Sequence, residues 1–215
     1  MIPLRRDVLR ALVAPLALCA GMVVLGEVLL YRMPWTDNPL DLVGENGRFE
    51  LAQTVFGVAF GATMVLIARA HARVRPLAIL MAGFAVALLV REQNNYFLDH
   101  VGKGAWQAVV GVVALATCAI AWPSRRALPD AILDLLRRPA AGLLIAAVAV
   151  FAYAQLFDEM PLWRHLLDTQ DPPFAARRVT EEGLELAAYV LAFAAGLAWR
   201  AGLVRSDAAS GQHDA

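Results

Sequence analysis

Two short stretches concentrate ionisable side chains against strongly apolar neighbours: REQNNYFLDH at residues 91–100 and EEGLE at 181–185. Glu92, Asn95 and Asp99 recur at i, i+3 and i+7, Glu50 and Gln53 at i, i+3, and Glu181 and Glu185 at i, i+4. On helices these spacings put each set on one face. Carboxylates gathered away from water can load and release protons near neutral pH, as in proton and cation pathways. They also supply oxygen ligands. Glu92, Asp99 and Glu185 with His100 form a candidate site for a divalent metal ion such as calcium, manganese or zinc, and Glu50, Asp158 and Glu182 offer further oxygens. The spacing is permissive for a metal and no more: there is no HExxH, and no helical glutamate is followed by histidine as Glu-x-x-His. A third reading is structural, with Arg91 pairing a carboxylate between helices and Glu181 and Glu182 sitting favourably at a helix N-terminus. The candidate cation or proton site is therefore Glu50, Glu92, Asp99, Glu182 and Glu185. Arg91, Asn95, Gln53, Gln155, Asp158, Glu27 and Glu181 are its supporting polar groups.

Such residues need elements to hold them, and the composition says which. In 215 residues, 60% are hydrophobic, and the mean hydropathy is +0.56. Soluble domains run at about 45–50% apolar, so an all-α polytopic membrane protein is expected, with the lipid bilayer as its first partner. Zero net charge and a pI near 6.9 give no reason to expect nucleic acid, and protein partners stay open. A spanning helix takes about 20 mostly apolar residues. Six stretches qualify, near 10–31, 50–69, 77–97, 105–122, 140–157 and 181–203. They predict a single domain over 1–205 and a disordered tail from 206 to 215. Arg5, Arg6 and Arg10 before the first run resemble a signal peptide, but the run is too long and no small-residue cleavage site follows, so a retained helix is expected.

Length decides how deep the first polar stretch lies. Arg73, Arg75 and Pro76 mark one surface, and Leu77–Leu89 supplies 13 apolar residues. At 1.5 Å per residue that covers about 20 Å of a hydrocarbon core about 30 Å thick. The helix must then continue through VREQNNY, which carries Arg91, Glu92 and Asn95 into the membrane and obliges them to face the bundle interior. Similar counting puts Glu50, Gln53, Glu181, Glu182, Glu185, Glu27 and Gln155 at comparable depth. Helices two, three, five and six are expected to surround the site.

Orientation follows from basic residues in the short connections. One side holds 12 arginines and five acids, the other seven basic residues and 14 acids. Both termini are predicted cytoplasmic, in a bacterial inner membrane, with the polar site opening outward. YRMPW before FELAQTVFGVAFGA and DEMPLW before LELAAYVLAFAAGL suggest repeated helical hairpins that align Glu50 with Glu185. Trp35, Trp106, Trp122, Trp163 and Trp199 read as interfacial belts. PDAILDLLRRP reads as an amphipathic surface strap, His71 and His213 as solvated, and Cys19 and Cys118 as small packing residues.

REQNNYFLDH together with TEEGLELAAYVLAF resembles a pattern in bacterial polytopic inner-membrane proteins, where an Arg-Glu helix end pairs with a later Glu-Glu-x-x-Glu helix start. The resemblance covers two of the six helices and implies a membrane fold without an activity. Alkaline ceramidase-like membrane hydrolases depend on several embedded metal-binding histidines, and only His100 and His165 lie on the outer side here. Transport or sensing is thus the first functional expectation. A metal-dependent enzyme acting on a lipid or other outer-leaflet substrate is the second, and an assembly protein with ion pairs alone the third.

Overall fold

The computed structural model describes residues 4–29, 47–157, 161, 163, 164 and 174–211, and among these there are helices and no strands. The first helix, α1, spans Leu4–Glu27, and α2 spans Arg48–Ala70. A 3-10 turn, Ala72–Val74, leads into α3, Arg75–Glu92, with Pro76 in its first turn. The short α4, Asn94–His100, follows, and α5 runs over Ala105–Ala121. After a 3-10 stretch come α6, Leu128–Leu136, and α7, Pro139–Ala154, which continues as a 3-10 turn through Phe157. The last helix, α8, covers 38 residues from Phe174 to Gly211.

Among the described residues, five segments are long and apolar enough to cross a membrane: Arg48–Ala70, Ala72–Glu92, Ala105–Leu136, Pro139–Phe157 and Arg177–Ala208. The apolar part of α1 described here, Ala17–Glu27, is shorter. Leu115, Leu51, Val112 and Ile145 all stand more than 60% exposed on these helices, as lipid-facing residues do.

Packing is sequential. α2 and α8 lie side by side at the centre, α3 packs on α2, α7 on α8, and α5 on the far side of α3. The core between them is built on Met64 and Ile67 from α2 and on Trp199 and Leu203 from α8. Buried alanines at 68, 78, 85, 140, 141 and 147 surround it. Small side chains let backbones approach, which is how helices gain dispersion energy where no hydrophobic force drives them together. α1 leans on α8 through Leu18, Met22 and Leu25, joined by Leu29 just beyond its end, against Leu186 and Val190.

Several expectations need correction. The third helix does not run on to residue 97: Gln93, at φ −88° and ψ 21°, ends α3, and the chain restarts as α4. Two asparagines follow, and asparagine competes with the helix for backbone partners. The helix instead gains length at its other end, where Arg75 Nε donates to the Ala68 carbonyl at 3.0 Å and ties the turn together. Gly102 and Gly104, at φ 125° and 89°, then carry the chain into α5 through left-handed conformations that suit glycine.

The last helix begins seven residues before Glu181 and continues to Gly211, so it also takes in the start of the expected tail. Trp199 is no belt residue. It is 1% exposed, and its Nε1 donates to Asp134 Oδ2 at 3.3 Å. Asp134 also accepts from Arg73 at 2.9 Å and from Arg138 at 2.8 Å, so the strap helix α6 is fastened to α8 and to the α2–α3 connection. His71 is largely buried with Nδ1 at 3.0 Å from Asp207 Oδ2, and Cys19 and Cys118 are exposed rather than packed. Trp35, His165 and His213 lie outside the described residues.

The α3–α5 crossing gives a direct test. A Cβ built at Gly83 would collide with the side chain of Thr117 on α5. Gly83→Ala is expected to destabilise the protein by about 1–3 kcal/mol through overpacking, outweighing the gain in helix propensity. Thr117→Ala should recover part of that loss, as read from denaturant titrations in detergent micelles.

Candidate functional site

At one end of the bundle the polar side chains of four segments converge. α3 brings Arg91 and Glu92 in its last turn. Glu185, four residues after Glu181 on α8, is 2% exposed and receives two donors on the same oxygen. Arg91 lies at 2.8 Å from Glu185 Oε1, and Gln155 Nε2 donates to it at 2.6 Å. Arg91 also stands 3.5 Å from Glu92 Oε1, and Tyr189 donates its hydroxyl to that oxygen at 3.0 Å. The Arg91 guanidinium lies over the Phe151 ring of α7, 5.0 Å from its centroid, and Phe151 meets Tyr189 edge to face. Glu92, Arg91 and Glu185 therefore form a trio in which two carboxylates share one guanidinium.

A second layer lies one turn nearer the start of α8. Gln53 of α2 is fully buried, and its Nε2 donates to Glu182 Oε2 at 2.8 Å and to the Glu182 carbonyl at 3.1 Å. Its Oε1 is buried with no hydrogen-bond partner. Arg178 reaches Glu181 at 3.3 Å and Glu182 at 3.1 Å, the helical i, i+3 and i, i+4 relations. Since α8 starts at Phe174, Glu181 and Glu182 sit two turns inside it. They are held by Arg178 and Gln53 rather than by the charge of a helix end.

Six of the twelve residues expected at the site thus stand in these two layers in direct contact with one another: Gln53, Arg91, Glu92, Gln155, Glu182 and Glu185. Glu181 joins them through Arg178. Glu50 is half-buried in the first turn of α2, one turn before Gln53, while Glu27 is exposed on α1. Asn95, Asp99 and His100 do not join. All three are exposed on α4, and His100 Nδ1 is 2.9 Å from the Tyr96 carbonyl. The break at Gln93 is what turns them away. Asp158 lies outside the described residues. Among the described residues, no three His, Cys, Asp or Glu side chains are grouped as a metal site, so the His100 ligand set does not assemble.

Sequence reasoning missed Tyr189, Phe151 and Arg178. Tyr189 follows Glu185 by four residues and Arg178 precedes Glu182 by four, so both were on the right face once the helix was extended. Pro172 and Pro173 directly before Phe174 were the overlooked start signal. Comparison with protein-family models, curated proteins and solved structures gives no match.

The shared guanidinium predicts an asymmetric mutant pattern. Arg91→Met leaves Glu92 and Glu185 buried without their cation and should cost about 3 kcal/mol, the low end for a broken buried pair because Arg91 is 31% exposed. The double variant Arg91→Met/Glu185→Gln should be more stable than Arg91→Met alone. Equal losses in denaturant titrations would show that the charges do not interact.

Proposed function

We propose that the protein is an integral membrane protein whose Glu92–Arg91–Glu185 trio takes up one proton, in a transport or sensing role. The observation that carries this reading is the charge count. Two carboxylates at the polar end of an apolar bundle share a single guanidinium, at 3.5 and 2.8 Å. An unbalanced charge in such surroundings is costly, so a compensating positive charge accompanies the second carboxylate. A proton suits the geometry better than a metal ion. Glu185 Oε1 already accepts two hydrogen bonds, and the nearest expected metal partners, Asp99 and His100, are exposed on α4. Tyr189 and Gln155 supply donors that hold the carboxylates in place while the proton comes and goes.

The distribution of arginines supports a site that opens to the outer face of a bacterial inner membrane, with both termini cytoplasmic. The same proposal includes α1 as a sixth span and a hairpin relation between Glu50 and Glu185. The resemblance of REQNNYFLDH and TEEGLELAAYVLAF to bacterial inner-membrane proteins fits this picture, because both motifs contribute to the trio.

Infrared difference spectra of the protein in lipid nanodiscs, recorded across a pH step, test the reading. A protonated-carboxyl band should appear on acidification and be lost in both Glu92→Gln and Glu185→Gln. A band that persists in both variants, or none in the wild type, would leave the trio as structural pairing only.

A further inference from the structure

Two apolar hollows adjoin α3. One, a cavity of about 390 Å³ between α3 and α7, carries no charged residue in its lining, so nothing in it selects an occupant. The other, a groove of about 650 Å³, opens between α2 and α5, which each pack on α3 but not closely on each other. Ile79, Ala82 and Val86 of α3 form its floor, with Val65 of α2 on one side and Val113 and Ile120 of α5 on the other. Thr117 also lines it, but its hydroxyl donates to the Val113 carbonyl of its own helix at 2.7 Å and is already satisfied.

One end of this groove is closed by two arginines. Arg69 stands in the last turn of α2 and Arg75 begins α3; both are exposed and both line the groove. Arg75 Nε donates to the Ala68 carbonyl at 3.0 Å, which anchors its guanidinium at the groove mouth while using one of its five N–H donors. Among the described residues, neither arginine pairs with a carboxylate. Asp134 and Asp207, the acids bonded at this end, engage Arg73, Arg138 and His71 instead. Eleven residues separate Arg75 from Val86, about 16 Å along the axis. That is close to half of a hydrocarbon core about 30 Å thick, the depth of one leaflet.

We infer that this groove is a binding site for an anionic phospholipid, with one acyl chain lying along α3 between α2 and α5 and the phosphate held by Arg69 and Arg75. The fit is made along the whole length of such a molecule. The apolar floor runs from the arginines to the middle of the membrane, as an acyl chain does. At the mouth, guanidinium groups present a planar fork that matches phosphate oxygens. Two arginines without carboxylate partners favour a head of net negative charge, because the choline of a zwitterionic lipid brings a further cation to the same place. In the orientation proposed above, this end faces the cytoplasmic leaflet, where anionic lipids lie. The site is separate from the trio, which sits at the other end of α3.

The test places the full chain in phosphatidylcholine nanodiscs containing a trace of phosphatidylglycerol with a photoreactive group in mid-chain, and uses the matched photoreactive phosphatidylcholine as control. At about fivefold per unpaired arginine, labelling of Ala82, Val86 and Val113 by the anionic lipid should exceed the control by at least about tenfold, and Arg69→Gln should lower that preference about fivefold. Ile145 on the exposed face of α7 lies as many residues beyond Arg138 as Ala82 lies beyond Arg75, and it should show no preference because Arg138 is paired with Asp134. Val86→Trp, at an exposed position in the groove, should reduce groove labelling by both lipids with both arginines in place. Equal labelling of the groove by the two lipids, a preference unchanged in Arg69→Gln, or the same preference at Ile145 would overturn the inference. Anionic labelling undiminished in Val86→Trp would also overturn it, since the arginines would then gather headgroups without a chain in the groove.

Discussion

The polar end of the bundle depends on one guanidinium. Arg91 leaves the last turn of α3, meets Glu185 of α8, stands beside its own neighbour Glu92 and covers a ring of α7. Three helices are joined there by a group that cannot lose its charge at any accessible pH. In an apolar surrounding such a cation has to find carboxylate, and every remaining donor has to find an acceptor. Gln155 and Tyr189 complete that requirement for the two carboxylates. The helices are thereby fixed at this end while α3 and α7 stay apart below it.

The long helix α8 carries the consequence through the molecule. Arg178, Glu182, Glu185 and Tyr189 descend one face at intervals of four, three and four residues, and Trp199 follows at the other end, bonded to Asp134. Fourteen residues separate Glu185 from Trp199, about 21 Å along the axis. The two polar assemblies lie at opposite ends of one rigid element, with buried alanines and Met64 between them. At the Trp199 end, Asp134 is balanced by two arginines. At the Glu185 end the balance is reversed, with two acids on one arginine. The first arrangement holds the strap helix in place, while the second sets two carboxylates on one guanidinium.

Much of this was legible from residue type and spacing. An apolar fraction of 60% and six long apolar runs announce a helical membrane protein, and five of those runs correspond to candidate spans. The stripe logic found Glu92, Glu185 and Gln53, and counting depth along the spans added Glu182 and Gln155, because an acidic or amide side chain within an apolar helix has to turn inward. The same logic failed for Asn95, Asp99 and His100. It assumed an unbroken helix, whereas Gln93 takes a non-helical conformation and the 3-10 turn at Ala72–Val74 supplies length from the other side. A length argument fixes how many residues must cross but not which end contributes them. Trp199 misled for a related reason: indole suits an interface and also a core position where its N–H finds a carboxylate, and only packing decides between them. The apolar cavity left no mark in the sequence, since leucine, alanine and phenylalanine line filled and open spaces alike.

A site-resolved measurement goes most directly to the claim that Glu92 and Glu185 act as one unit around Arg91. Carbon-13 NMR of glutamate carboxyls in nanodiscs, with Glu92→Gln and Glu185→Gln spectra for assignment, follows both groups through a pH titration. A shared site predicts that both resonances respond to the same protonation step and that removing either residue changes the step seen at the other, as coupled groups do. Two independent titrations, each unaffected by loss of the other residue, would contradict it.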